Sequence, residues 1–298
     1  MSAGTQIVAR VGTGNAEVAR PRGAVGVIVG EPADRTHAYR VRFPDGGEAM
    51  LRRSEFAVRK QHQVEGIAPA TDDAFAEYEP HVILRAVVGS RVHGLDEADS
   101  DTDRRGIFLP PADRHWSLGG VPEQIEREST QEVYWELEKG LVLALKANPN
   151  VLEMLHSPLV ETVRPPADEL LRERGRFVSR LVYQTYNGYV LSQFKKLQAD
   201  LRTTGSVRWK HVMHLLRLLL AGIEVLRDGR VPLDVGPERD RLLAVRRGEV
   251  DWPEVEAWRS NLHRQLDAAY RSTSLPERPD YDWADEFLVR ARRGMVDR

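Results

Sequence analysis

A strand-like run that ends in Gly-Ser, followed after ten residues by two closely spaced aspartates, constrains this chain more than any other feature. Residues 81–88 are rich in β-branched side chains, which favour strands. Gly89-Ser90 ends the run and opens a short helix, and residues 101–109 form a second strand candidate that is entered through acidic residues. This alternation predicts an α+β fold for the middle of the chain.

The Gly-Ser turn has the chemistry of a phosphate-binding site. A strand that ends at Gly89-Ser90 and leads into a helix presents backbone N–H groups and a hydroxyl where the helix dipole favours an anion. A lone Gly-Ser pair is usually only a turn, so this interpretation depends on the residues that come after it in the chain.

The two aspartates supply the second half of the pattern. Asp101 and Asp103 are two residues apart, so on a strand both carboxylates project to the same face and repel each other unless cations lie between them. Magnesium prefers oxygen ligands and commonly takes one or two carboxylates together with substrate phosphates. An isolated Asp-x-Asp is usually a solvated loop, but beside the Gly-Ser turn it predicts a two-metal phosphoryl-transfer site.

These residues resemble the polymerase-β nucleotidyltransferase superfamily, whose signature is Gly-Ser, a gap of about ten residues and Asp-x-Asp. The fuller string Gly-Ser-Arg-x-x-Gly…Asp-Ser-Asp-x-Asp-x-Arg-Gly, over residues 89–106, resembles the branch of that superfamily associated with RNA ligases and RNA repair. The similarity continues through residues 131–137 and 145–153 and covers roughly residues 80–160.

The resemblance implies a mixed sheet flanked by helices and a defined set of site residues. Asp101 and Asp103 would be catalytic metal ligands, and Gly89-Ser90 would hold the triphosphate of an NTP substrate. The superfamily also uses a third carboxylate on a later strand, and Glu132 is the expected residue here, with Glu136 as the second choice because both lie on the same strand face. Mg²⁺, or Mn²⁺, is the implied cofactor.

Other polar residues near the motif have two interpretations each. Arg91 follows the phosphate-binding turn and is a candidate for binding the NTP, although it could instead be paired with the acids around it. Arg104 has the same two alternatives, whereas Arg105 is expected to be structural. Asp99 is expected in the acidic loop with an outer-shell role as the alternative, and His93 either packs or contacts ligand.

A later helix offers a basic stripe. Lys210, His211, His214 and Arg217 share one side of an apolar helix, and Lys210 and His214 are the candidates for binding nucleotide. The two histidines have no third ligand nearby in sequence, which argues against a zinc site. The preceding helix carries residues that either pack in the core or stack on a base, namely Tyr183, Tyr186, Tyr189 and Gln193, followed by Lys195 and Lys196.

The chain is predicted to contain three domains. Alternating runs around a Pro-Asp-Gly-Gly turn predict a small SH3-like β-barrel over residues 1–65, whose outer face is either simply solvated or binds a protein or nucleic acid. A polar linker over residues 61–73 precedes a nucleotidyltransferase domain over residues 74–165. Residues 166–298 are expected to form a helical domain that completes the cleft.

Periodicity and punctuation predict the elements of the two later domains. A third strand is expected over residues 132–135, and one helix should stop and another begin at Asn148-Pro149-Asn150. Apolar spacing predicts further helices over residues 176–200, 207–227, 238–247, 252–272 and 284–293.

Composition limits the partners and the location. The net charge of −2 means that only local patches could attract nucleic acid or an anionic membrane. The absence of cysteine excludes disulfides and thiolate chemistry and is compatible with a reducing compartment. No stretch has the roughly 20 apolar residues that span a bilayer, so a cytoplasmic location without membrane contact is expected.

The expected function is transfer of a nucleoside monophosphate from an NTP to an acceptor hydroxyl, with an RNA 3′ end as the first acceptor to consider. A protein or a small molecule is the alternative acceptor. The non-enzymatic alternative is a scaffold that binds nucleotide without turnover, against which the presence of Gly-Ser and both aspartates argues.

Overall fold

The computed structural model describes residues 4–12, 20–30, 38–59, 74–97, 100–204 and 206–296, and it divides the chain into two units, Met1–Asp72 and Asp73–Arg298. The linker predicted over residues 61–73 lies outside the described residues, and so does Asp99. The domain boundaries expected at residues 65, 74 and 165 stay predictions.

The first unit contains an open, antiparallel five-stranded sheet in the order β4-β3-β2-β1-β5. Its strands are β1 (Gln6–Ala9), β2 (Val25–Gly30), β3 (Tyr39–Arg42), β4 (Glu48–Leu51) and β5 (Phe56–Val58). The predicted hairpin joins β3 to β4. Closing a barrel requires the two edge strands to pair, and β4 and β5 do not pair within the described residues. The predicted SH3-like barrel is therefore not confirmed.

The second unit is built on a mixed sheet in the order β10-β6-β7-β9-β8. Its strands are β6 (Val82–Val88), β7 (Asp103–Phe108), β8 (Gln124–Arg127), β9 (Glu132–Glu136) and β10 (Val160–Val163). β7 and β9 are parallel, and the other neighbouring pairs are antiparallel. The mixed sheet and the strands β6, β7 and β9 confirm the predictions, whereas β8 and β10 were not anticipated because they are short edge strands with charged residues.

Short helices connect and cover the strands. They are α1 (Ala74–Tyr78), α2 (Ser90–His93), α3 (Ala112–Trp116), α4 (Leu137–Leu145), α5 (Pro149–His156) and α6 (Ala167–Arg172). The boundary between α4 and α5 is where Asn148-Pro149 predicted it, because the Asn148 side chain accepts hydrogen bonds from the N–H groups of Asn150 and Val151 while Pro149 occupies the first helical turn.

Five further helices complete the unit, close to their predicted bounds: α7 (Leu181–Thr204), α8 (Trp209–Asp228), α9 (Arg239–Arg247), α10 (Trp252–Ser272) and α11 (Tyr281–Arg293). α8 packs against α7, α9 and α10. Its buried residues join one hydrophobic core with those of β6, β7 and α5. Because helices and sheet share this core, a separate helical domain is not confirmed. No helix within the described ranges is both long and apolar enough to cross a membrane.

Candidate active site

The turn after β6 and the first residue of β7 lie side by side. Val88 pairs with Asp103 in the antiparallel register, so the next residue, Gly89, lies against the Asp103 side chain. Gly89 has φ 77° and ψ −150°, a backbone conformation that residues with a side chain rarely adopt. A Cβ atom at Gly89 would lie 2.5 Å from Asp103 Oδ2. Glycine therefore both makes the turn and leaves room for the carboxylate.

A second glycine of the motif allows the strands to pack closely. A Cβ atom at Gly106, in the middle of β7, would collide with the carbonyl oxygen of Leu84 on β6 and lie 2.8 Å from the ring of Tyr134 on β9. Tyr134 is fully buried at this position. The glycine of the Asp-x-Asp-x-Arg-Gly string is thus explained by packing within the sheet that carries the aspartates.

The two aspartates have few partners of their own. Asp101 is exposed and forms no hydrogen bond or ion pair with the residues that the structure describes. Asp103 is half-buried, and its ion pair with Arg105 is long, with 3.9 Å between Oδ1 and Nη2. By contrast, Glu79 pairs with Arg85 at 3.0 Å and Glu161 with Arg104 at 2.8 Å. Both carboxylates therefore keep lone pairs that could bind a cation.

The loop before the aspartates is closed by local hydrogen bonds. Arg91 on α2 donates from Nη2 to the carbonyl oxygen of Ser100 at 3.0 Å. Ser100 also accepts through its hydroxyl from the N–H of Glu97, at 2.8 Å. This hydrogen bond links the Gly89 turn to the aspartate loop, and the exposed Arg91 keeps further N–H groups available to a ligand. Its role in binding nucleotide stays a prediction.

Glu132 does not lie with the aspartates. It pairs with Arg104 in the parallel register of β7 and β9, so its side chain is on the face of Arg104, opposite to that of Asp103. It accepts a short hydrogen bond from the Tyr134 hydroxyl. Burial raises the pKa of Glu132, but the hydrogen bond from Tyr134 and the charge of Arg85 outweigh this and lower it overall. The structure therefore gives Glu132 partners other than a metal shared with Asp103.

Glu136 is farther still from the aspartates, at the opposite end of β9. It caps α4 by accepting from the N–H of Glu138 at 2.7 Å, and it lies 3.4 Å from Arg292. Burial raises its pKa. On the face that carries Asp103, β9 contributes Val133 and Trp135, which have no metal-binding atoms. Within the described ranges, no group of three or more His, Asp or Glu side chains is arranged to hold a metal.

The two arginines that flank the aspartates form an ion pair and hydrogen bonds with residues in and next to the sheet. Arg104 pairs with Glu161 on β10, with 2.8 Å between Nε and Oε2. Arg105 donates to the carbonyl oxygens of Arg104, at 2.7 Å, and Gln131, at 2.9 Å. These contacts agree with the structural role predicted for Arg105.

A buried ionic network anchors the short helix after the turn. His93 is 2% exposed, its Nδ1 lies 2.7 Å from the carbonyl oxygen of Leu233, and its Nε2 lies 3.3 Å from Glu153 Oε2. Arg217 on α8 donates to Glu153 Oε1 at 2.7 Å. Burial of Glu153 opposes its ionisation, but the charge of Arg217 and the hydrogen bond with His93 lower its pKa to about 2. His93 therefore packs and anchors α2.

Residues of α9 and of the segment before it also hold the part of the chain between the two halves of the motif. Arg239 donates to the carbonyl oxygen of Gly94 at 2.7 Å, and Arg246 donates to that of Leu95 at 3.0 Å. The N–H of Val235 donates to the carbonyl oxygen of His93 at 3.2 Å. The geometry of the motif thus depends on contacts from more than 100 residues later in the chain.

The basic stripe on α8 lies partly beside this network. His214 is largely buried, and burial, followed by the charges of Arg217 and Lys210, lowers its pKa to about 4. His214 precedes Arg217 by three residues on α8, and Arg217 pairs with Glu153, which contacts His93 on the short helix after the turn. Lys210 is exposed, one helical turn earlier. The structure therefore brings His214 towards the motif as a neutral side chain.

Sequence reasoning missed Glu153 and the partnership of Arg217 with it. The available signal was one acid inside an apolar helical run, Val151-Leu152-Glu153-Met154-Leu155, and one arginine inside another, at Arg217. Buried charges of opposite sign in separate helices are expected to pair. Their pairing with His93 could not be inferred, because it requires knowing how α2, α5 and α8 pack.

Comparison with known proteins places this site in a family context. The model of a family described as the RNA repair pathway DNA polymerase beta family matches residues 58–290. That span contains the Gly-Ser turn, both aspartates and the His93–Glu153–Arg217 network.

Two curated relatives are similar over part of the chain. One, from Bacillus subtilis (strain 168), is named uncharacterized protein YcgL and is 27% identical over 159 residues, which are 52% of this chain and 60% of that protein. Another, from Enterobacteria phage T4, is named uncharacterized 38.9 kDa protein in nrdC-mobD intergenic region and is 28% identical over 130 residues, 38% of each chain. The chain thus spans about 60% or less of the curated relatives that it matches.

Proposed function

Since the chain belongs to the RNA repair pathway DNA polymerase beta family, we propose that it transfers a nucleoside monophosphate from an NTP to an acceptor hydroxyl and releases pyrophosphate. The observation that carries this proposal is the contact between the Gly89 turn and the Asp103 carboxylate. It would join a phosphate-binding element to a cation-binding one at the same end of two neighbouring strands, and transfer of a triphosphate's α-phosphoryl group requires both.

The chemical balance of the reaction is simple. The acceptor oxygen forms a bond to the α-phosphorus, the bond from that phosphorus to the bridging oxygen breaks, and pyrophosphate leaves with the electron pair. The hydroxyl proton passes to a nearby carboxylate, Asp101 or Asp103, or to solvent. Most of the catalysis then comes from positioning and from neutralising charge.

The donor set at the site fits Mg²⁺ or Mn²⁺. Asp101 and Asp103 offer oxygen ligands that are not held by close ion pairs in the described chain, and magnesium commonly binds through one or two carboxylates plus substrate phosphates. When bound, such ions would activate the acceptor hydroxyl and neutralise the leaving pyrophosphate. Glu132 has no part in this proposal, because it lies on the other face of the sheet.

The remaining candidates are proposed to bind the triphosphate. The half-buried Ser90 begins α2 at the turn, and Arg91 extends from the same helix. Lys210 would supply a positive charge from α8. His214 would donate or accept a hydrogen bond as a neutral imidazole, because its pKa of about 4 keeps it uncharged at pH 7.

RNA is the first acceptor to test, because the family description refers to RNA repair. Nucleotidyl transfer to a protein or to a small molecule is the alternative, and a scaffold that binds nucleotide without turnover is the non-enzymatic one. The partner of the first unit is not part of this proposal.

The test is transfer of label from each of the four α-labelled NTPs, with Mg²⁺, onto RNA 3′ ends, onto other proteins and onto the protein itself. Asp101→Ala/Asp103→Ala should abolish labelling. The matched control Asp240→Ala/Asp285→Ala removes two exposed aspartates on α9 and α11 and should retain it. Label that persists in the Asp101/Asp103 variant would refute the assigned site, and nucleotide binding without any transfer would support the scaffold instead.

A further inference from the structure

Two neighbouring helices carry a group of exposed cations. Lys195 and Lys196 lie on α7, Arg208 immediately precedes α8, and Lys210 lies in the first turn of α8. All four are exposed, and none forms an ion pair with a described carboxylate. We call these four residues the basic face.

Many other cations of the described chain are paired with acids. The chain has 45 acidic and 43 basic residues, so acids are not scarce. Most arginines on α9 to α11 are paired with acids, for example Arg246 with Glu97, Arg247 with Glu249, Arg259 with Glu256 and Arg290 with Glu169. Unpaired like charges repel one another, and an anionic ligand would relieve that repulsion.

The members of the basic face are close enough to act on the same side chains. α7 and α8 pack against each other, and the charges of both Lys196 and Arg208 act on His211 on α8. Burial, followed by the charges of Arg208 and Lys196, lowers the pKa of His211. The surface therefore has a concentrated positive field although the whole chain has a net charge of −2.

An exposed aromatic side chain lies on the same side of α7 as Lys196. Tyr189 is 47% exposed, and it is seven residues before Lys196, two helical turns away on one helix face. Ser192 lies between them and is exposed as well. Surfaces that bind single-stranded nucleic acid combine cations that contact phosphates with aromatic side chains on which bases stack.

The helix that carries Lys210 also contacts the candidate active site. Lys210 and Arg217 lie two turns apart on one side of α8, and Arg217 pairs with Glu153, which contacts His93 at the end of α2. α2 begins at the Gly89 turn that contacts Asp103. A strand bound along α7 and the start of α8 would therefore lead towards the two aspartates.

We propose that the basic face and Tyr189 bind single-stranded RNA and direct its 3′ end to the Gly89–Asp103 site. The proposal takes RNA as the polyanion from the proposed function, and it takes the position of the strand from the exposed cations and the exposed tyrosine. It favours RNA over an acidic protein because a tyrosine beside exposed cations matches bases together with phosphates.

The test is binding of a fluorescent, unstructured RNA oligonucleotide by the whole protein, followed by anisotropy at several salt concentrations. Lys195→Gln/Lys196→Gln should reduce the slope of log K against log salt by about 1.4, since each phosphate contact on a single strand contributes about 0.7. If wild type and variant bind equally at 1 M salt, this difference in slope makes the affinity of the variant at 0.1 M salt about 25-fold lower than that of the wild type. Tyr189→Leu should weaken binding and leave the slope unchanged.

The matched control is Arg271→Gln/Arg278→Gln, which removes two exposed arginines without ion-pair partners in the described chain, at and after the end of α10. Equal losses in the two double variants, or an unchanged slope in Lys195→Gln/Lys196→Gln, would overturn the proposal. Competition by poly-glutamate as strong as that by RNA of equal charge would overturn it in favour of an acidic protein partner.

Failure of this inference can be distinguished from failure of the proposed function. Asp103→Asn should retain RNA binding, because Asp103 is not part of the basic face. If the wild type transfers nucleotide but binds RNA independently of Lys195 and Lys196, the function stands and the basic face is refuted. If it transfers no nucleotide while RNA binding depends on both lysines, the basic face stands and the proposed activity is refuted.

Discussion

Replacing Gly89 by alanine tests whether the turn and the aspartate form one site. The new Cβ atom would lie 2.5 Å from Asp103 Oδ2, whereas ordinary contacts of this kind begin at 3.4 Å. The carboxylate or the turn must therefore move by roughly 1 Å, a displacement that can cost an enzyme about 100-fold in rate. The backbone at φ 77° and ψ −150° adds strain of about 1–3 kcal/mol to the folded state.

The assay measures kcat/KM for nucleotidyl transfer together with the free energy of unfolding in urea. Gly89→Ala should lower kcat/KM by about 100-fold, or about 2.7 kcal/mol of transition-state stabilisation, and remain folded. Gly120→Ala is the matched control, because Gly120 also has a positive φ of 63° but has no atom within 4 Å of the added Cβ. It should lose some stability and keep its kcat/KM.

A Gly89→Ala protein that folds and transfers nucleotide at the wild-type rate would refute the reasoning. Such a result would mean that the position of the Asp103 carboxylate does not matter to the reaction. A loss of the same size in Gly120→Ala would be equally damaging, since it would trace the effect to backbone strain alone.

Three further predictions concern the network and the sheet. Glu153→Leu leaves Arg217 buried without its partner and should cost about 3–5 kcal/mol of unfolding free energy, measured in urea; a loss below about 1 kcal/mol would contradict the network. Burial lowers the pKa of His156 from 6.5 to about 4. As the pH falls, the unfolded state therefore takes up a proton at His156 before the folded state does. About 3 kcal/mol of unfolding free energy that is present above pH 6.5 should disappear as the pH falls to 4. Urea midpoints of His156→Gln should be less sensitive to pH over this range, and an unchanged sensitivity would refute the assignment. Glu132→Gln should lower stability and leave kcat nearly unchanged, whereas Asp103→Asn should abolish transfer; equal losses of kcat would restore Glu132 as a metal ligand.

Much of the fold could be predicted because the relevant signals are local. β-branched residues mark β6, Asn148-Pro149 marks the boundary between α4 and α5, and apolar spacing marks the five helices α7 to α11. β8 and β10 could not be predicted, because short edge strands with charged residues are stabilised by their neighbours in the sheet rather than by their own pattern. Closure of the first sheet likewise depends on pairing between distant segments.

For the candidate site, the sequence by itself determined the Gly-Ser turn, the Asp-x-Asp pair and the family, because these depend on residue types at short, fixed spacings. Tertiary structure alone decided the place of Glu132: alternation defines two faces of a strand, but the pairing of β9 with β7 determines which of them carries Asp103. It also decided that His93 is buried against Glu153 and Arg217. That contact joins three helices distant in sequence, and only the packing that buries their apolar faces brings these charges together.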